Sequence, residues 1–175
     1  MKLTHIAATV IGVIGIIGLR FLPHPPNMEP IMGSMMPFAK RCGWLFGALI
    51  SFASIFLYDV ISGTLGIWSY ATAITYALLG VVAGVYFKNM ESGVFQYVGF
   101  AIVGTLFYDI ITGVFLGPVL FGGMTYAEAF MGQIPFTLWH VLGNILLAAT
   151  LSPAIEFALS RTMPALQGEE RPVQA

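Results

Sequence analysis

Long apolar runs separated by brief polar punctuation govern this chain. A bilayer-crossing helix takes roughly 17–25 predominantly apolar residues, and on that measure helices are expected at about 3–21, 27–39, 43–61, 69–87, 93–113 and 131–151. The second run is short. It is expected to complete its crossing through local thinning of the bilayer or through the extended stretch around its start. That stretch is Pro23-His24-Pro25-Pro26-Asn27-Met28-Glu29-Pro30. Proline fixes φ and removes a backbone donor, so the segment reads as a pre-shaped loop rather than ordinary helix. Its side chains His24, Asn27 and Glu29 either meet a ligand or face water.

Polar positions inside the runs keep helical spacing. In the sixth run Gln133, Thr137, His140 and Asn144 fall at i, i+4, i+7 and i+11, a single face that Ala148 continues. The stripe covers roughly 16 Å, about half of a 30 Å hydrocarbon core, which is the depth of a pocket entered from one surface. Ser51, Ser54, Tyr58 and Ser62 follow similar spacing in the third run, as do Trp68, Thr72 and Thr75 in the fourth. Hydroxyls on such faces often bond between helices as glue, whereas a glutamine, a histidine and an asparagine together favour binding. Trp68 and Trp139 either stack on a ring-shaped ligand or anchor the chain at the interface.

An internal repeat is also present. Tyr58-Asp59-Val60-Ile61-Ser62-Gly63 recurs as Tyr108-Asp109-Ile110-Ile111-Thr112-Gly113, and Gly43 matches Gly93 at the same offset. One hairpin separates the copies, so both are expected to run in the same direction. Each aspartate is then either hydrated at a helix end or shares in lining an outward cavity. Between Leu116 and Gly132, Gly117-Pro118 and Gly122-Gly123 predict turns, and Thr125-Tyr126-Ala127-Glu128 predicts a capping box opening a short helix before Pro135.

Composition fixes the class. Hydrophobic residues make up 58% of the chain and charged ones 9%, against about 25% charged in soluble domains. The expected fold is an all-α integral membrane protein of six transmembrane helices, residues 1–160. A disordered cytoplasmic tail is expected at 161–175, where apolar content falls away. The net charge of −1 offers no basic surface to nucleic acid, and the single Cys42 excludes an intrachain disulfide. Lys2 and the run from Leu3 imitate a signal peptide but continue into Arg20-Phe21-Leu22-Pro23 without a small-residue cleavage site, so the run is read as a retained helix. Six crossings with both termini inside place Lys2, Lys40, Arg41, Lys88, Arg161 and Arg171 in the cytoplasm and only Arg20 outside. Arg20 is read as snorkelling. None of Lys2, Lys40 and Lys88 follows a Gly-rich phosphate loop, so ATP hydrolysis by that device is not expected.

The chain resembles the substrate-binding S component of energy-coupling factor (ECF) transporters. The resemblance rests on Pro25-Pro26-Asn27-Met28-Glu29-Pro30-Ile31 after one apolar helix, on the aspartates at outer helix ends, and on Gln133-Ile134-Pro135-Phe136-Thr137 with His140 and Gly143-Asn144. It spans nearly everything from the first helix to Pro153. It implies a non-enzymatic six-helix protein of the prokaryotic plasma membrane, with the first outer loop as a lid over a small water-soluble vitamin or precursor. The implied partners are a membrane T component and a pair of ATPase subunits, with no cofactor. Candidate substrate-binding residues are Asn27, Glu29, Asp59, Trp68, Asp109, Gln133, Thr137, His140 and Asn144. In that family small residues four apart on the first helix dock the T component, and Ala8 with Gly12 is the nearest match here. The metal-specific relatives begin Met-His-Ile, whereas Met1-Lys2-Leu3 argues against nickel or cobalt as substrate.

Two other classes stand beside this one. Asp59 and Asp109, each preceded by tyrosine, are similar to the paired carboxylates of intramembrane aspartyl proteases, although Asp109 lacks the Gly-x-Gly-Asp pattern. A ligand-free membrane scaffold accounts for the hydrophobicity but not for a one-sided polar stripe. Glu29, Asp59 and Asp109 bias the mouth toward a neutral or cationic solute.

Overall fold

The computed structural model describes residues 3–25, 27–91 and 93–162. Among these, every regular element is helical: α1 (Leu3–Arg20), α2 (Ile31–Cys42), α3 (Trp44–Ser62), α4 (Ile67–Tyr86), α5 (Val94–Asp109), a π-helical segment (Ile110–Leu116), α6 (Gly117–Phe121) and α7 (Tyr126–Thr162). α1, α3, α4, the rod Val94–Phe121 and α7 are each long and apolar enough to cross a membrane. The surface of the bundle is apolar too, with Ile11, Leu78, Val82, Phe95, Leu138 and Trp139 all exposed. Helices that are apolar on the outward as well as the inward face belong in lipid, and the chain has the build of an all-α membrane protein.

Contacts at the helix ends fix the directions. His5 meets Phe46 near the starts of α1 and α3, and Arg20 reaches the Ser54 carbonyl and the Tyr58 ring near their ends, so these helices are parallel. α3 and α4 are antiparallel. They approach where a Cβ on Gly80 would collide with the Gly47 backbone, the close contact that small residues permit between membrane helices. α5 and α7 are antiparallel as well, joined by Asp109–His140 and Thr105–Asn144. One end of the bundle therefore gathers Lys40, Arg41, Lys88 and Arg161, and the opposite end gathers Arg20 and the proline loop.

α2 is the centre. It is buried without a break from Ile31 to Ala39, and again at Cys42. Pro37 lies inside it and cannot bond the Gly33 carbonyl one turn back. The Ser152 hydroxyl of α7 takes that carbonyl instead, at 2.6 Å. At the basic end the Glu156 carboxylate of α7 receives Lys40, Arg41 and the Tyr97 hydroxyl, tying α2, α5 and α7 together.

Several boundaries differ from expectation. α2 has 12 residues and begins at Ile31 rather than at about 27, and the stretch before it is not extended: the Met28 amide bonds back to the Pro25 carbonyl, Asn27 is left-handed, and Pro30 lies in the helical region as the N-cap. It is too short to count among the candidate spans, which number five rather than six. Gly117-Pro118 is not a turn: proline occupies the first turn of α6, where no backbone donor is needed, and the turn falls at Gly122 and Gly123, both at positive φ. The Thr125 capping box forms, with the Thr125 amide 2.7 Å from Glu128 Oε2. It opens the whole of α7 rather than a separate short helix, since Pro135 and Pro153 are both absorbed within that helix. The tail falls from residue 163 onward outside the described residues, while Arg161 and Thr162 close α7.

Candidate functional site

A cavity of about 360 Å³ lies at the end opposite the basic cluster, within the range of small-molecule sites. Its wall is assembled from most of the chain. α1 gives Arg20, the proline loop gives Asn27 and Glu29, α3 gives Ile55 and Asp59, and α4 gives Trp68 and Thr72. Tyr108 comes from α5, Thr112 and Gly113 from the π segment, and Gln133 and Phe136 from α7.

Arg20 organises the rim. Its guanidinium lies 3.9 Å from the centre of the Tyr58 ring, donates to Glu29 Oε1 at 3.0 Å and reaches the Ser54 carbonyl at 3.5 Å. The proline loop is thereby pinned to α1 and α3. Asn27 holds a left-handed backbone, φ 64°, which asparagine tolerates better than most residues. Its carbonyl packs on α7 where Gly143 leaves room, since a Cβ there would lie 3.2 Å away. The loop is thus seated on the bundle. His24 remains outside, exposed and bonded to the adjacent Pro25 carbonyl at 3.0 Å.

The nine candidate binding residues separate into three sets. Asn27, Glu29, Asp59, Trp68 and Gln133 line the cavity. Thr137 does not, but its hydroxyl accepts a bond from Gln133 Nε2 at 3.4 Å and so helps hold that side chain. Asp109, His140 and Asn144 form a buried ladder behind the wall. His140 Nδ1 and Asp109 Oδ1 are 2.8 Å apart, and Asn144 Nδ2 donates to Thr105 Oγ1 at 2.8 Å. Tyr108 and Phe136 stand between this ladder and the cavity, their ring centres 5.6 and 5.7 Å from that of His140. Each rung leaves one buried acceptor, Asp109 Oδ2 and Asn144 Oδ1, without a hydrogen bond among the described residues. Such an orphan costs about 1–3 kcal/mol.

The small residues of α1 and the two tryptophans take distinct places. Gly12 does not present an open docking face, since a Cβ there would fall 2.5 Å from Phe38 Cζ and 2.8 Å from Ile50 Cδ1. Ala8 packs on the same core. Trp139 is exposed on the outside of α7, whereas Trp68 faces the cavity beside Phe121.

Arg20, Tyr108, Thr112 and Phe136 were not candidates. Phe136 follows Gln133 by three residues on one helical face, and Tyr108 with Thr112 belongs to the repeat, so spacing alone marks three of them. The α7 stripe also runs further than Ala148: Ser152 and Glu156 continue its four-residue step to the basic end. Comparison with protein-family models, with curated proteins and with solved structures returned no match to this chain.

Proposed function

We propose that the chain is the substrate-specificity component of an ECF-type transporter, taking a small water-soluble solute from the outer face of the membrane. In this reading both termini are cytoplasmic, and α2 completes a sixth crossing together with the proline loop before it. A T component and ATPase subunits supply the energy. The observation that carries the reading is the cavity itself, roofed by the proline loop at the end opposite Lys40, Arg41, Lys88 and Arg161. A preformed polar pocket near one surface, in a chain with no phosphate loop, suits a protein that binds and hands on. The protease reading needs carboxylates that share a proton, yet Asp109 is bonded to His140 while Asp59 faces the cavity.

Mass spectrometry of whatever molecule the detergent-purified protein retains is the direct test. Titration with that molecule should show Asn27→Ala and Gln133→Ala binding roughly tenfold to a hundredfold more weakly, the equivalent of about 1–3 kcal/mol each. Unaltered affinity in both would remove this cavity as the site. Orientation needs a different probe from Cys42, which is buried. In a Cys42→Ala background, Asn89→Cys should resist an impermeant thiol reagent in sealed cells and Met124→Cys should react.

A further inference from the structure

We propose that the cavity selects an organic cation: a small ring-bearing molecule with one positive charge that donates more hydrogen bonds than it accepts. This deepens the binding reading above and rests on it.

Three charged side chains reach the cavity, Arg20, Glu29 and Asp59. Arg20 and Glu29 answer each other at 3.0 Å, and the rest of the guanidinium is taken up by the Ser54 carbonyl and the Tyr58 ring. The Asp59 carboxylate makes no hydrogen bond or ion pair among the described residues, its backbone carbonyl alone accepting bonds at the end of α3. The lining therefore holds one carboxylate in excess. Asp109 adds nothing to it, being held behind the wall by His140. An anionic solute would bring a second like charge to a site with no free cation among its described lining residues, while a cationic one supplies the charge that Asp59 lacks.

The neutral groups point the same way. Thr72 gives its only proton to the carbonyls of Trp68 and Ser69 at 3.0 and 3.2 Å, and Thr112 gives its own to the Tyr108 carbonyl at 2.8 Å. A hydroxyl whose proton is engaged offers a ligand only lone pairs. Gln133 gives one N–H to Thr137, which leaves its carbonyl oxygen and its second N–H unengaged. Asn27, Gln133 and Tyr108 still bring N–H and O–H donors to the lining, but the Asp59 carboxylate, the Thr72 and Thr112 oxygens and the two amide carbonyls make acceptors the larger share, matched by a solute rich in N–H or O–H. Trp68, Tyr108 and Phe136 add aromatic rings, whose π faces attract a cation and stack on a planar one.

Three probes of one shape isolate charge: benzamidinium, benzamide and benzoate. The full-length protein is purified in detergent with Trp44→Phe and Trp139→Phe, so that Trp68 alone reports occupancy by quenching, and a melting curve is recorded for each sample. Benzamidinium should bind at least about tenfold more tightly than benzamide, with benzoate weakest. Asp59→Asn should erase that preference and Asp59→Glu should retain it, with melting curves showing both variants folded. Equal binding of the neutral or anionic probe, or a preference that survives Asp59→Asn, would overturn the inference. Binding that then still depends on Asn27 and Gln133 would leave the pocket reading intact; quenching by none of the three probes would remove both.

Discussion

The two Tyr-Asp copies share one local bond and put their side chains to opposite uses: the first ends α3 at a left-handed Gly63, whereas the second runs on into the π-helical Ile110–Leu116. In each, the hydroxyl four residues after tyrosine donates back to the tyrosine carbonyl at 2.8 Å, Ser62 to Tyr58 and Thr112 to Tyr108. Both copies run toward the cavity end. In the first, the aspartate faces the cavity and the tyrosine ring supports Arg20. In the second, the tyrosine faces the cavity and the aspartate is buried against His140. The neighbouring helix decides the difference: α7 brings an imidazole to Asp109, and nothing equivalent reaches Asp59 among the described residues. The repeated motif fixes only the hydroxyl-to-carbonyl bond, and the chemistry of each copy comes from what packs on it.

The largest test of that contrast removes the partner. His140→Leu leaves the Asp109 carboxyl group buried without its hydrogen-bond partner, a loss of about 1–3 kcal/mol. Asp59→Leu, at a half-exposed position with no bond to lose, should alter stability by no more than about 0.5 kcal/mol. Unfolding titrations in mixed micelles would compare them. Adding Asp109→Leu to His140→Leu should recover most of the loss, because two apolar side chains replace both ends of the pair. A double variant as unstable as the single one would mean that packing around His140, rather than its bond, holds α5 to α7.

How much of this was legible in the sequence follows from the same contrast. Hydropathy marks the membrane class and five long helices, because the bilayer imposes a length on each run. The Thr125 capping box was readable since all its partners lie within one turn. The depth of a polar residue was not. Periodicity placed Gln133, His140 and Asn144 on one face, but a face has a near end and a far end, and only Gln133 reaches the cavity. Arg20 read as a snorkelling side chain because its partners, Glu29, Ser54 and Tyr58, come from three other places in the chain. Pro37 shows the same gap: a proline weakens α2 locally, and the hydroxyl that compensates lies on α7.

The glycines that close the two copies offer a smaller effect and a sharper one. Gly63 ends α3 in the left-handed region, φ 73°, with nothing near a potential Cβ. Gly63→Ala should therefore cost about 1–2 kcal/mol in backbone strain and leave ligand affinity unchanged. Gly113 lies inside the π-helical segment without a positive φ, but a Cβ there would strike the Gln133 amide. Gly113→Ala should displace that flexible side chain, lowering affinity more than stability. Paired melting and binding curves would separate the outcomes. The same pattern from both substitutions would show that Gly113 matters only to the backbone and that its contact with Gln133 does not govern binding.

The smallest predicted effect concerns the two hydroxyls. Ser62 is exposed, and water replaces its bond, so Ser62→Ala should leave both stability within about 0.5 kcal/mol and affinity unchanged. Thr112 is buried and lines the cavity with its proton already engaged, so its oxygen is available only as an acceptor. Thr112→Val keeps the shape and deletes that acceptor. If a donor-rich solute bonds there, affinity should fall, by up to about tenfold for one neutral hydrogen bond, while the melting curve moves little. The comparison works because the backbone-directed bond is the same in the two copies, so a difference between the variants reports the cavity rather than the helix. Equal silence from Ser62→Ala and Thr112→Val would make both hydroxyls interior glue. The acceptors of the lining would then shrink to Asp59, Thr72 and the two amide carbonyls, and the second copy's share of the site to Tyr108.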